Sequence, residues 1–260
     1  MKIGDDDASG LRLGDATPPV MTINATGRSP FVLVCDHASN RIPVEYGDLG
    51  LPAIDRLRHI AWDPGALAVS LELVERFDAP LVHSTVSRLV IDCNRTFSAP
   101  DLIAPVSETT EIPGNRHVSD ADRLRRIAAF HTPFHTAIET LLDRRATAGQ
   151  ETILVAMHSF TPVYKGVARR WPIGLIHGVD TRYTRRVFDA LKRADPDLDV
   201  GWNEPYAALN GVTFTLEHHG DGRGLTSTMI EIRHDEILTL TGVRRWAALL
   251  ANCLEEARAG

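Results

Sequence analysis

Short runs of strand-forming residues alternate along this chain with longer stretches that show the apolar spacing of helices. The apolar runs predict strands at 31–35, 80–84, 88–93, 152–157, 172–177, 212–217 and 228–233. The stretches between them predict helices at 64–77, 119–147, 180–194 and 235–257, the second of which is kinked or split at Pro133. This alternation is typical of an α/β domain, so we expect a mixed, mainly parallel central sheet with helices on both faces.

The length of the chain, 260 residues, suits one large α/β domain. Residues 1–28 are rich in Asp, Gly, Thr and Pro and have no periodicity, so we expect an N-terminal extension followed by a single domain over 29–260. Residues 98–117 contain three prolines and predict a long loop. Loops of that length are often functional.

Composition narrows the range of partners. Lys and Arg number 28 and Asp and Glu number 34, so the net charge is −6, and the absence of a basic tract argues against nucleic acid. Cys35, Cys93 and Cys253 form no CxxC pair and are typical of reduced thiols. The polar N-terminus is unlike a secretory signal, and no run of 18 apolar residues predicts a membrane span. We therefore expect a cytoplasmic protein that acts on a small molecule, with its oligomeric state left open.

Polar residues stand at the ends of four predicted strands: Asp36-His37, Asp92-Cys93-Asn94-Arg95, His158-Ser159 and Glu231-Ile232-Arg233. Sites in open α/β sheets lie outside the C-terminal ends of strands. A zinc hydrolase uses about three His or carboxylate ligands and leaves one position for water. His37 and His158 therefore predict a metal site with Asp63 as the candidate carboxylate, although an Asp before Pro64 is equally typical of a helix N-cap.

Two further groups suit hydrolysis of an amide that carries a carboxylate. Glu231 lies between apolar residues in TMIEIRHD and is the candidate proton carrier, with a strand-end ion pair to Arg233 as the alternative. Arg88 and the pair Asn94-Arg95 offer the planar donors that hold a carboxylate. The alternative for Arg88 is a structural pair with Asp92.

The remaining histidines give weaker signals. His131 and His135 are four residues apart, as in the HExxH zinc helix, but the required Glu is Thr132 and Pro133 disturbs the helix, so we expect no metal there. His218-His219 opens a Gly-rich turn and is a candidate for substrate contact, and His177 is a candidate for lining the cleft. The chain has no GxSxG, GxGxxG or GxxxxGK[ST] run, which argues against a serine hydrolase and against nucleotide binding.

Five segments resemble the N-formylglutamate amidohydrolase family: CDHASNRIP (35–43), AWDPGA (61–66), SRLVIDCNR (87–95), AMHSF (156–160) and NGVTFTLEHHGDGRGLTSTMIEIRHD (210–235). The resemblance spans roughly 31–240. The family is similar to the zinc carboxypeptidases and related deacylases. Those enzymes carry in order a His and a carboxylate ligand, an Arg, an Asn-Arg pair, a second His ligand and a late catalytic Glu. The same order stands here as His37, Asp63, Arg88, Asn94-Arg95, His158 and Glu231.

The chain departs from these patterns near its first histidine. The family's usual His-Ser-Gly run is His37-Ala38-Ser39 here. The carboxypeptidase-like enzymes place the carboxylate ligand three residues after the histidine, where this chain has Asn40. Asp36 and Asn40 therefore remain alternatives to Asp63.

The resemblance implies a zinc-exopeptidase-like fold that binds one Zn²⁺ and hydrolyses the amide bond of an N-acyl amino acid such as N-formyl-L-glutamate. Glu231 would carry the proton between water and the leaving nitrogen. Arg88, Asn94 and Arg95 would hold the substrate carboxylate, and His219 would contact the substrate. The alternatives are a zinc peptidase or amidase acting on a different substrate, and a binding protein of the same fold without the metal.

Overall fold

The structure, a computed structural model, describes residues 17–206 and 213–260. Within these residues the strands are β1 (Val20–Ile23), β2 (Phe31–Cys35), β3 (Leu81–Ser84), β4 (Val106–Ser107), β5 (Thr110–Glu111), β6 (Ile153–Phe160), β7 (Val163–Tyr164), β8 (Val167–Ala168), β9 (Ile173–Ile176), β10 (Val200–Trp202) and β11 (Thr226–Arg233). The α-helices are α1 (Ala66–Phe77), α2 (Asp120–Arg126), α3 (Thr132–Thr147), α4 (Arg182–Ala194) and α5 (Leu240–Ala259).

Shorter helical turns join these elements. Two are π-helical, Ile127–His131 and Leu216–Gly220. The 3₁₀ turns are Val44–Tyr46, Asp55–Leu57, Pro113–Asn115, Asp221–Arg223 and His234–Glu236. The first π-turn follows α2 and leads directly into α3, so the backbone stays helical from Asp120 to Thr147, with Pro133 in the first turn of α3. The helix predicted over 119–147 is therefore present, and in place of a break at Pro133 it contains a π-turn that ends at His131.

Seven strands form the central sheet in the order β1-β3-β2-β6-β11-β9-β10. Strands β3, β2, β6 and β11 run parallel to one another, whereas β1 is antiparallel to β3 and β9 is antiparallel to β11. The predicted mixed, mainly parallel sheet is confirmed. The C-terminal ends of β2, β6 and β11 therefore meet at one edge, and the register sets Glu231 beside His158.

Helices cover both faces of the sheet, as predicted. The alternate residues Phe31 and Leu33 of β2 pack into the core that α1, α4 and α5 share. Val32 and Val34 point to the opposite face, where they pack in one cluster with residues of α3. All five residues of β2 are buried, as expected for a parallel strand between two helical layers, and each such apolar side chain contributes roughly 1.5–3 kcal/mol.

Two predicted strands are absent from the described residues. Residues 88–93 form turns rather than a strand, because Leu89, Val90 and Ile91 are buried in a small core beneath the 98–117 loop instead of joining the sheet. A short apolar run cannot by itself distinguish these two fates. Residues 214–217 belong to a helical turn that continues to Gly220. Residue 212, the start of that predicted strand, lies outside the described residues.

Two strands of the central sheet form where none was predicted. β1 lies within the segment expected to be an extension and pairs antiparallel with β3, so this segment contributes the edge of the sheet from residue 20 onward. β10 has only three residues and pairs with β9. Residues 1–16 of the predicted extension lie outside the described residues. None of the helices in the described part of the chain combines the length and apolar character needed to cross a membrane.

Candidate metal centre and active site

His37, Asp63 and His158 converge at the C-terminal edge of the sheet. His37 follows the end of β2, and its carbonyl accepts a hydrogen bond of 2.9 Å from the backbone N–H of Asp63. His158 is held by β6. Oδ2 of Asp63 lies 3.3 Å from Nδ1 of His37 and 2.9 Å from Nδ1 of His158. All three side chains are buried, and one ligand atom from each lies within 4.8 Å of the other two.

The outer nitrogens of both histidines face carboxylates. Nε2 of His37 lies 2.7 Å from Oδ1 of Asp92, and Nε2 of His158 lies 3.2 Å from Oδ2 of Asp36. Metal-bound histidines are usually oriented in this way, because an acceptor on the outer N–H fixes the tautomer and leaves the other nitrogen free to ligate. Two imidazole nitrogens and one carboxylate are donors that suit Zn²⁺, so the residues present fit that ion.

The same geometry favours Asp63 over its two alternatives as the carboxylate ligand. Asp36 lies on the outer side of the His158 ring, away from the Nδ1 atom that faces Asp63. The amide of Asn40 donates to the carbonyl of Arg56 at 3.0 Å. Asp63 alone of the three contacts the Nδ1 atoms of both histidines.

The electrostatics of the centre favour a positive charge at its middle. Burial opposes ionisation of Asp63 and Asp36, but their contacts with the two histidines outweigh it and lower the pKa of each carboxyl. Burial likewise opposes ionisation of Asp92, but the charges of Arg88 and His37 outweigh it, so the pKa of Asp92 falls well below its usual range. Burial disfavours the charged form of His158, yet its bonds to Asp36 and Asp63 raise its pKa well above the usual value. Three ionised carboxylates thus surround two imidazole rings.

Glu231 stands next to this centre on β11. Its side chain is 5 % exposed, and its Oε2 has no hydrogen-bond partner among the described residues. Burial raises the pKa of Glu231 to about 7. The alternative ion pair with Arg233 does not form, because Arg233 donates to Asp235 at 2.8 Å and to two backbone carbonyls at 3.1 Å. Glu231 is therefore a buried carboxyl suited to exchange a proton near neutral pH.

A pocket of about 210 Å³ opens above these residues. Its floor is made by the three converging side chains and Glu231. Its walls come from the segment 88–95, from the 98–117 loop and from the segment after β6, and they include Arg88, Asn94, Arg95, Asp101, Glu108, Tyr164 and Tyr206. The long loop that was predicted to be functional therefore contributes part of the site.

The two predicted carboxylate-binding arginines line this pocket, and each already contacts an acidic side chain. Nη2 of Arg88 donates to Oδ2 of Asp92 at 2.6 Å, so the structural pair considered from the sequence does form. Nε of Arg95 donates to Oδ2 of Asp101 at 2.8 Å. Asn94 also lines the pocket, and its Oδ1 accepts a hydrogen bond of 3.0 Å from the backbone of Thr215, which fixes the amide plane.

His219, the fourth predicted substrate contact, lies elsewhere. Its side chain is fully buried, and its Nε2 lies 2.8 Å from Nδ1 of His135. Neither His219 nor His177 is among the residues that line the pocket, so the structure does not bring them to the site. Burial hides His219, whereas His177 is half-buried and lies outside the pocket.

Several pocket residues escaped the sequence analysis. Three of them, His59, Asp101 and Glu108, do not lie next to the end of a predicted strand. Only the length of the 98–117 loop pointed to Asp101 and Glu108. Tyr164 follows the long strand β6, and Tyr206 precedes the undescribed residues 207–212. No pattern in the sequence distinguishes these two tyrosines from ordinary aromatic residues.

The fold and site together define a one-domain α/β protein with a buried histidine–carboxylate centre at a sheet edge. A model of the N-formylglutamate amidohydrolase family matches residues 29–238. The chain therefore belongs to the N-formylglutamate amidohydrolase family, a family of hydrolases.

Solved structures agree on the fold. The chain is 40% identical to a gene product from Agrobacterium tumefaciens, with a TM-score of 0.91 over 94% of this chain and 96% of that one. It is 19% identical to an N-formylglutamate amidohydrolase from Ralstonia eutropha JMP134, with a TM-score of 0.67 over 94% and 98% of the two chains. The second likeness supports the fold alone. No curated protein sequence matches the chain.

Proposed function

We propose that this chain hydrolyses the amide bond of an N-acyl amino acid, with N-formyl-L-glutamate as the first candidate, at a zinc centre held by His37, Asp63 and His158. One observation carries the proposal. The inner nitrogens of two buried histidines converge on one carboxylate, each outer nitrogen faces a second carboxylate, and Glu231 stands beside them. Membership of the N-formylglutamate amidohydrolase family supports the choice of reaction.

The chemistry divides between the ion and Glu231. When bound, Zn²⁺ supplies a Lewis acid that polarises the amide carbonyl and acidifies water. Glu231 accepts the proton of the attacking water and delivers it to the leaving nitrogen, so that the amide C–N bond breaks into an acid and an amine. A pKa of about 7 suits both halves of this transfer, because the carboxylate and the carboxylic acid are both populated near neutrality.

Arg95 is the candidate clamp for the substrate's carboxylate. Its guanidinium is held by Asp101, whose side chain is 52% exposed, so a substrate carboxylate can replace Asp101 without stranding a buried charge. Arg88 adds a second guanidinium to the pocket lining, where it donates to Asp92 at 2.6 Å and lies 3.6 Å from Asp63. A charged hydrogen bond of this kind contributes about 1.5–3 kcal/mol.

Pocket size favours a small substrate over a peptide. Pockets for drug-sized ligands occupy roughly 300–1,000 Å³, whereas this one measures about 210 Å³ and is walled by the 98–117 loop. An acyl amino acid matches such a volume, while a peptidase acting on chains would use an open groove.

The experiment combines metal analysis with a substrate screen. Protein purified without chelator is expected to contain zinc, and His158→Ala is expected to contain one ion less per chain. His177→Ala, a half-buried histidine outside the pocket, is the matched control. A panel of N-acyl amino acids then tests for release of the free amino acid. Wild-type protein that hydrolyses none of them, or that has the same metal content as His158→Ala after zinc loading, contradicts the proposal.

A further inference from the structure

A second group of metal-ligand side chains lies outside the pocket. Glu139 stands on α3, and His218 and His219 stand on the π-turn Leu216–Gly220. One ligand atom from each lies within 4.8 Å of the other two, and Nε2 of His218 lies 3.1 Å from Oε1 of Glu139. None of the three lines the pocket of the candidate active site.

The hydrogen bonds around His219 determine which of its nitrogens carries a proton. Nε2 of His135 lies 2.8 Å from the carbonyl oxygen of Cys93, which can only accept, so this nitrogen carries the proton. Nδ1 of the neutral His135 ring is then an acceptor, and Nε2 of His219 donates to it at 2.8 Å. The Nδ1 atom of His219 is left with a free lone pair.

That lone pair has no partner in the described part of the chain. The side chain of His219 is fully buried, and its Nδ1 atom makes no hydrogen bond there. A buried acceptor without a partner costs about 1–3 kcal/mol.

We propose that Glu139, His218 and His219 hold a second divalent transition-metal ion, Zn²⁺ by the chemistry of the donors. The arrangement has the form usual for a metal-bound histidine, in which the second ring nitrogen donates to an acceptor that orients the ring. Two imidazoles and one carboxylate favour Zn²⁺ over Mg²⁺ and Ca²⁺, which prefer oxygen ligands. The side chains of His218 and Glu139 are 45% and 38% exposed, so water can complete the coordination and the ion can enter.

The proposed ion has a structural role, because it joins the π-turn to α3. The residues just before the π-turn reach the active centre: the backbone N–H of Thr215 donates to Oδ1 of Asn94 at 3.0 Å, and its hydroxyl donates to Asp36. An ion pair between Arg223 and Asp143 links the following 3₁₀ turn to the same helix. Metal binding at this site therefore holds Thr215 in place against Asn94 and Asp36.

Zinc stoichiometry tests the site directly. Each protein is loaded with Zn²⁺, and the ions bound per chain are counted by competition with a chromophoric chelator. Wild-type protein is expected to bind two ions and His218→Ala one. Glu139→Gln is expected to bind the second ion at least about tenfold more weakly. His117→Ala, a substitution of an exposed histidine outside both groups, is the matched control and is expected to bind two.

Thermal stability separates this site from the candidate active centre. In His158→Ala, which lacks a ligand of that centre, added Zn²⁺ is still expected to raise Tm through the second site. The double variant His158→Ala/His218→Ala is expected to show no rise. Equal zinc counts in wild type and His218→Ala, or equal rises in Tm for His158→Ala and the double variant, overturn the second site. Loss of an ion in His218→Ala but not in His158→Ala overturns the active-centre assignment instead.

Discussion

Two groups of buried histidines lie in this molecule, and their surroundings differ. His37 and His158 at the candidate metal centre contact carboxylates through both ring nitrogens. His131, His135 and His219 behind it contact backbone carbonyls and one another. Burial favours the neutral ring in both groups. Carboxylates raise the pKa of His158 well above its usual value, whereas burial lowers the pKa of His135 and of His219 to about 3.

The difference shows that the partners of a buried histidine, rather than its burial, decide what it can hold. The active centre is charged so that a cation at its middle is favoured, and each histidine keeps its inner nitrogen toward that point. The second group excludes the proton and keeps each ring in one neutral tautomer. The predictions below for the first group therefore concern turnover and metal affinity, and the one for His131 in the second group concerns stability.

The largest expected effect is a loss of turnover at the candidate metal centre that a substitution in the second histidine group does not cause. Glu231→Gln keeps the size of the side chain but removes its ability to accept a proton, so kcat on an N-acyl amino acid is expected to fall by about 10²–10⁴-fold. The comparison variant, His131→Gln in the second group, is expected to retain most of the wild-type kcat, because His131 does not line the pocket. The measurement is steady-state kinetics with saturating Zn²⁺.

Zinc content and circular dichroism of Glu231→Gln are the controls, and both are expected to match the wild type. Near-normal turnover in this variant would assign the proton transfer to another group. A loss in His131→Gln as large as that in Glu231→Gln would show that the comparison between the two histidine groups is wrong.

The next effect concerns Arg95, which lines the pocket and whose carbonyl accepts a hydrogen bond of 2.9 Å from Nε2 of His131 in the second group. Arg95→Lys removes the planar fork of donors while it keeps the charge. We expect kcat/KM to fall roughly 10- to 150-fold on a substrate with a free carboxylate, equivalent to about 1.5–3 kcal/mol. The matching carboxamide substrate is expected to lose little.

Asp101→Asn is the matched variant for Arg95→Lys, because Asp101 is the side chain that occupies the guanidinium. It removes the competing charge, so kcat/KM on the carboxylate substrate is expected to stay the same or rise. Equal losses of Arg95→Lys on the acid and on the amide would mean that Arg95 serves the scaffold rather than the substrate.

A smaller effect comes from making the first group resemble the second. Asp36→Asn removes the negative charge from the outer nitrogen of His158 and keeps the shape of the side chain. Loss of such an outer partner typically costs about 10- to 100-fold in metal affinity. Competition with a chelator measures this, with Asp101→Asn as a control that lies in the pocket but contacts neither histidine. An unchanged zinc affinity would show that Asp63 and the ring nitrogens suffice without the outer carboxylates.

Strand ends made part of this site predictable. His37 and His158 were identifiable because each stands at or just beyond the end of a fully apolar run, and such runs become buried parallel strands whose ends converge. Glu231 was identifiable for a related reason, since an acidic residue between two isoleucines in a buried strand needs a role. The pairing of β11 with β6, which sets Glu231 beside His158, is a long-range property that alternation does not encode.

The remaining parts depend on contacts between distant segments. Leu89, Val90 and Ile91 have the pattern of a strand, yet they pack in the small core beneath the long loop instead of joining the sheet. Asp36 was a candidate ligand, and only the orientation of the His158 ring shows that it faces the outer nitrogen. Nothing in the local pattern around His219 indicates that it is stacked on His135 and hidden from the pocket.

The smallest expected effect is a change in how stability depends on pH. His131 is fully buried, its Nε2 donates to the carbonyl of Arg95 at 2.9 Å, and its Nδ1 has no partner in the described ranges. Burial lowers the pKa of His131 below its usual value. In the unfolded chain the ring takes up a proton below about pH 6.5, whereas in the folded protein it stays neutral to lower pH. Its contribution to stability is therefore complete above about pH 6.5 and is lost as the pH falls toward the folded pKa.

His131→Gln keeps a donor for the carbonyl of Arg95 and removes the titration. Between pH 6.5 and pH 5 the free energy of unfolding of the variant is expected to fall less steeply than that of the wild type. The difference in slope is at most about 1.4 kcal/mol per pH unit for one histidine. Urea unfolding of both proteins with EDTA removes any contribution from metal binding, and His117→Gln, at an exposed histidine, is expected to keep the wild-type slope. Identical slopes for wild type and His131→Gln would show that His131 takes up a proton as readily in the folded protein as in the unfolded chain, and the contrast with the candidate metal centre would then rest on His135 and His219 alone.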